Sequence, residues 1–281
     1  MRPACQIIAL LVCPFILMGQ TVFAEIPDFP PAEDLSLVVP DTAPVMDQVP
    51  LTPGVIYSAM GQSCATILTV APGNDAGTMR LDLQSPCRRG QRVDLTWSGL
   101  TASFLTSVTG ALQVDLPVFE PGNTLQAAFP DGTFHHVQLT EDAPIAFTGV
   151  GLTRPGSAVT FLHVLENGAD FGGAGHRHAV RPVGAAGGQF FSLGDARIPD
   201  GWFSQVYLVA KAQGPLVSRT FTEIPVTANN CGGTQDVTLH QFSVTGSWMS
   251  LPFEFSVPPC EKTGQSVMLG SPLRDLVLAE E

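Results

Sequence analysis

Histidine is the residue type whose placement in this 281-residue chain most suggests chemistry. His176-Arg177-His178 sets two imidazoles at i and i+2. Side chains alternate between the faces of a strand, so these two share one face. His163 precedes the same glycine-rich stretch, with Glu166 and Asp170 close by in sequence. Imidazole suits copper and zinc. His163, His176 and His178 therefore form a candidate Cu or Zn site, the one cofactor the sequence hints at. His135 and His136 are adjacent, so on a strand they point to opposite faces and cannot readily chelate together.

Other chemistries lack carriers. No Gly-x-Ser-x-Gly elbow occurs, and neither His-Glu-x-x-His nor a phosphate-binding loop is present. Gly172-Gly173-Ala174-Gly175 has no lysine after it and no helical pattern. The acids are too many to nominate a glycosidase pair, and Pro130-Asp131-Gly132 reads as a turn rather than a calcium ladder. A hydrolase with an unrecognised site is the remaining catalytic reading. No catalytic residue is nominated.

Composition sets the frame for these residues. Acidic residues outnumber basic ones 25 to 13, which opposes nucleic-acid binding. Arg88-Arg89 with Arg92 is the one local basic run of note. Hydrophobic residues reach 44%, too many for a wholly disordered chain. With 28 glycines and 24 prolines, a helical bundle is excluded and a turn-punctuated β protein favoured.

The N-terminus reads as a secretory signal peptide over 1–24. Arg2 precedes the apolar run Ile7 to Met18, and Val22-Phe23-Ala24 places compact residues before a cut at Glu25. The run is shorter than a membrane span needs, so no span is expected after cleavage. Cleavage leaves Cys64, Cys87, Cys231 and Cys260. An even number in an exported chain predicts two disulfides. Local pairing, Cys64 with Cys87 and Cys231 with Cys260, is the preferred arrangement. Periplasmic or secreted localisation follows.

Residues 25–60 form an acidic, proline-rich arm or linker, where proline forbids long ladders. Residues 61–142 predict a β-sandwich domain. Ile67 to Val70, Met79 to Gln84, Val93 to Trp97 and Ala111 to Leu116 alternate, and turn signals recur every 8–12 residues or so. Residues 143–281 predict a second β-rich domain. Its strands are expected at Ser157 to Leu165, Gln205 to Ala210, Val237 to Val244, Pro252 to Val257 and Ser266 to Leu269. Glu166 to Gly201 is expected to be loop-rich, and Leu273 to Glu280 a short helix or terminal strand. Phe190-Phe191, Trp202-Phe203 and Trp248 are expected to plug the core. The fold class is thus all-β: two antiparallel β-sandwich domains behind a signal peptide and an arm.

Three groups of residues carry a resemblance. They are Cys64 with Ile67-Leu68-Thr69-Val70 and Leu81 to Val93, Gly99-Leu100-Thr101-Ala102 through Phe129-Pro130-Asp131-Gly132, and Val226 to Gly232 with Pro259-Cys260. Together they resemble a family of exported alphaproteobacterial proteins with paired cysteines and no established activity. The first domain is also similar to carboxypeptidase-regulatory-like and transthyretin-like β-sandwich modules, which are usually non-enzymatic. The resemblance implies export and paired cysteines, and transfers no catalytic residue.

The leading functional expectation is an exported, non-catalytic β-sandwich protein acting in binding, scaffolding or surface interaction, with a protein or envelope component as partner. The alternative is a periplasmic metal-binding protein using the histidine cluster. The sequence does not fix the oligomeric state.

Overall fold

The structure, a computed structural model, describes residues 55–58, 61–119, 123–139, 147–182, 188–195, 197–211, 215–242 and 248–278. The apolar N-terminal run and most of the arm lie outside them. Of the arm, 55–58 are seen, with Tyr57 bridging to Ser63.

Seven strands occupy the first half: β1 (Ile67–Pro72), β2 (Thr78–Gln84), β3 (Arg92–Trp97), β4 (Leu100–Leu105), β5 (Ala111–Pro117), β6 (Thr124–Ala128) and β7 (Phe134–Gln138). They form a three-stranded sheet β1-β2-β5 and a four-stranded sheet β4-β3-β6-β7. The alternation read from the sequence is the alternation that is buried. Leu81 and Leu83 of β2 face Val93, Leu95 and Trp97 of β3 across one core, while the residues between them are more exposed. His135 and His136 of β7 alternate as expected, one partly buried and one exposed.

Ten strands follow: β8 (Phe147–Pro155), β9 (Phe161–Glu166), β10 (His176–Arg177), β11 (Gln189–Leu193), β12 (Trp202–Ala210), β13 (Leu216–Pro225), β14 (Thr234–Phe242), β15 (Trp248–Ser256), β16 (Ser266–Gly270) and β17 (Leu276–Leu278). One sheet runs β11-β12-β8-β14-β15. The other runs β10-β9-β13-β16, with β17 also on β13. Every strand pairing among the described residues is antiparallel.

The β11-β12-β8-β14-β15 sheet is covered on both faces. Tyr207 and Val209 of β12 enter one core with Leu162 and Val164 of β9. Val206 and Leu208, the residues between, enter the other core with Leu95, Trp97 and Leu100. The described residues, from Val55 onward, accordingly form one compact unit.

Both expected disulfides are present, Cys64–Cys87 and Cys231–Cys260, with Cα–Cα distances of 5.1 and 4.8 Å. Glu166 to Gly201 is loop-rich as expected, with only the short strands β10 and β11 inside it. One expectation needs correction. Of the aromatics, Phe190 is buried, but Trp202 and Trp248 remain 40% and 46% exposed. Trp248 lies over the β3–β4 turn, where Gly99 has φ +74 and a Cβ would meet the indole at 2.4 Å. Only glycine tolerates both the φ and the contact. No helix among the described residues is long and apolar enough to cross a membrane.

Candidate functional site

The three candidate histidines converge on one face of the β10-β9-β13-β16 sheet. On β9, Leu162 and Val164 point into the core, so His163 and Leu165 point the other way. β10 pairs His176 with Leu165, which puts His176 on the face of His163. His178 follows at i+2 and is held by a bridge to Arg181. The i, i+2 reading of the sequence is the geometry observed. The ring centroids are 5.0 Å apart for His163 and His176, 4.5 Å for His176 and His178, and 5.3 Å for His163 and His178.

The loop between β9 and β10 closes over this face. Phe171 meets His163, His176 and Phe221 edge-on, at 6.0, 5.1 and 5.2 Å. Both His163 and His176 are thereby buried. The loop is tied down at each end. Glu166 N–H donates to Gly175 O at 2.9 Å, and Asn167 N–H to Val217 O at 2.7 Å.

The hydrogen bonds fix the tautomers. Gly172 N–H can only donate, so His176 Nδ1 accepts from it at 2.9 Å. Neutral His176 then carries its proton on Nε2. That proton goes to His163 Nδ1, 2.8 Å away. His163 in turn carries its proton on Nε2 and donates to Glu223 Oε2 at 2.9 Å. The result is a directed chain from a backbone amide through two imidazoles to a carboxylate. A centroid distance of 5.0 Å with a nitrogen contact of 2.8 Å means that the two rings meet edge to edge.

Burial pushes His176 down to about 4, and the charges His178, His163 and arginines 181 and 177 would present reinforce it. His178 is lowered by burial first, then by His163 and Arg181, against Glu223. Glu223 lies below the usual carboxylate range: hydrogen bonds from Ser266 and His163 outweigh its partial burial.

The inner face behind the cluster has a separate polar network. Arg177 alternates with the two histidines and so points inward. Its guanidinium reaches Glu166 Oε2 at 2.6 Å, with both side chains about 5% exposed or less. Tyr207 donates to Glu166 Oε1 at 2.6 Å, and Gly188 N–H donates to the same oxygen at 2.8 Å. Gly188 must be glycine there, because a Cβ would lie 2.4 Å from the Tyr207 ring.

Glu166, adjacent in sequence, therefore faces away from the histidines. Asp170 is in the covering loop, where its carbonyl accepts from Gly173 N–H. The carboxylate that does meet the cluster is Glu223, sixty residues from His163. It shares the face because β13 pairs Phe221 with His163. The alternation of Val217, Arg219, Phe221 and Glu223 was the available signal, but it does not name β9 as the neighbour.

As the side chains stand, no three donor atoms among the described residues enclose an ion. His163 and His176 spend their facing nitrogens on each other. The protein-family models and the curated proteins contain no match to this chain.

Proposed function

We propose that this chain is an exported binding protein of the cell envelope whose ligand is a copper or zinc ion held by His163, His176 and His178. One observation carries the reading: the spacing of the three rings. A ring bound to zinc at ~2.0–2.1 Å has its centroid about 3.2 Å from the ion, so three tetrahedral ligands have centroids roughly 5 Å apart. The rings here are 4.5, 5.0 and 5.3 Å apart. Bound nitrogens would stand roughly 3.3 Å from one another. The 2.8 Å contact between His163 and His176 needs to open by about half an ångström.

Glu223 supports the same reading. With metal on His163 Nδ1, the Nε2–H keeps its carboxylate partner, the usual outer support of a ligating histidine. Export rests on the N-terminal signal features and on the two disulfides, which belong to oxidising compartments.

The test is elemental analysis and native mass spectrometry of the oxidised protein, followed by Zn²⁺ and Cu²⁺ titration. One ion per chain is expected. Binding should be lost in His176→Ala/His178→Ala and weakened about 10–100-fold in Glu223→Gln. A protein that takes up neither ion, or a double variant that binds as well as the parent, overturns the proposal.

A further inference from the structure

A second histidine is set up differently, on the face of the β11-β12-β8-β14-β15 sheet that looks toward β4. Its hydrogen bonds can be assigned from one end. Ser204 Oγ–H donates to Thr101 O at 2.8 Å. Its oxygen therefore accepts from Thr153, 2.7 Å away. That uses the single proton of Thr153, whose oxygen then accepts from His240 Nε2–H at 3.1 Å. The lone pair of the neutral ring is left on Nδ1. Ser250 Oγ is 2.6 Å from it and must be the donor.

Ser250 is exposed, whereas His240 is 1% exposed. The two are direct cross-strand partners on β14 and β15. A reachable hydroxyl thus points its proton at the lone pair of an imidazole whose other nitrogen is fixed by a third group. Those are the three roles of an activated nucleophile: attacking oxygen, base and orienter. Here Thr153 takes the orienting place that a carboxylate often holds. Thr153 also walls a cleft of about 490 Å³ with Trp202, Asp236, Phe253 and Glu254.

We propose that Ser250 is a nucleophile that accepts an acyl group from a carboxylic ester, with His240 as its base and Thr153 positioning the ring. Ser250 Oγ bonds to the ester carbonyl carbon as its proton moves to His240 Nδ1. The bond from that carbon to the alcohol oxygen then breaks, and His240 returns the proton to the departing alkoxide. The products are acyl-Ser250 and a free alcohol, and water releases the acid through the same base. Asp236 and Glu254 stand directly opposed across β14 and β15. They repel anions, and Trp202, on the same face as Ser204 and Thr153, supplies apolar surface, so the donor is a neutral or cationic ester with an apolar alcohol portion.

The experiment incubates the oxidised full-length protein with p-nitrophenyl acetate and follows intact mass and peptide maps. One acetyl adduct on Ser250 is expected, absent in Ser250→Ala. Its rate should fall at least ~tenfold in His240→Gln and in Thr153→Val. Circular dichroism checks that each variant is folded, and near-isosteric Thr153→Val keeps the test alive if His240→Gln is not. No adduct on Ser250, or one formed equally fast in Thr153→Val, overturns the proposal.

Discussion

Two buried imidazoles, His176 and His240, are held neutral by their surroundings, and this has a thermodynamic consequence. Burial alone lowers His240 from 6.5 to about 4. In the unfolded chain the ring regains its ordinary value near 6.5. Between those values the unfolded state binds more protons, so stability rises with pH. The contribution is complete above the unfolded value and is lost as pH falls toward about 4. For His240 the loss between pH 7 and pH 5 comes to about 2 kcal/mol. Urea unfolding at the two pH values should show it. In His240→Gln that loss should shrink by about the same amount, although the variant is less stable throughout. An unchanged pH dependence would show that His240 is not the titrating group. The i, i+2 spacing marks His176 and His178, and the shared glycine-rich stretch marks His163, but no local pattern marks His240. Its partners Ser250, Thr153 and Ser204 come from three other strands, and nothing local links them.

At the level of elements, the strands most legible in the sequence are those with one wet face. β2 and β3 alternate cleanly and are legible nearly to their ends. β8 has no such legibility. It is buried on both faces, so alternation between apolar and polar residues is absent. Gly149 and Gly151, which look like breakers, instead let neighbouring strands and Leu100 come close. β13 was missed for a related reason: its inward row includes Ser218, Thr220 and Thr222, polar residues that are nonetheless buried. The β9–β10 loop is the element on which the proposed metal site depends. If His176 binds an ion through Nε2, its proton must sit on Nδ1. Gly172 N–H now donates to that nitrogen, so the amide has to turn away. Gly172 has φ +81, and Gly173 follows it, which leaves the backbone free to turn. Hydrogen exchange at Gly172 should therefore accelerate when Zn²⁺ binds, while the amides of β13 stay protected. Binding without any change at Gly172 would place the ion elsewhere.

At the scale of the whole molecule, two arguments follow from how charge and core are distributed. The formal net charge is −12, and two of the three arginines of the basic run are already paired with carboxylates. Arg88 pairs with Asp131 at 2.8 Å and lies over the Phe129 ring, and Arg92 pairs with Asp94 at 2.7 Å. No retention on heparin is expected at ~0.15 M salt, where screening acts over about 8 Å. Firm retention would show that Arg89 and its neighbours form a patch strong enough to override the total. The second argument concerns cooperativity. The β11-β12-β8-β14-β15 sheet gives Leu193, Val206, Leu208 and Phe242 to the core shared with β2 and β3, and Tyr207, Val209 and Leu239 to the core shared with β9 and β13. Unfolding either half strips one face of that sheet. Each large apolar side chain left exposed costs roughly 1.5–3 kcal/mol, so four of them remove an amount comparable with the whole stability of an ordinary domain. Neither half should then survive the loss of the other. Heating the oxidised protein should give a single calorimetric transition in which calorimetric and van't Hoff enthalpies agree. Two separated transitions would mean that the sheet keeps its fold with one face bare, and that the two cores are energetically independent.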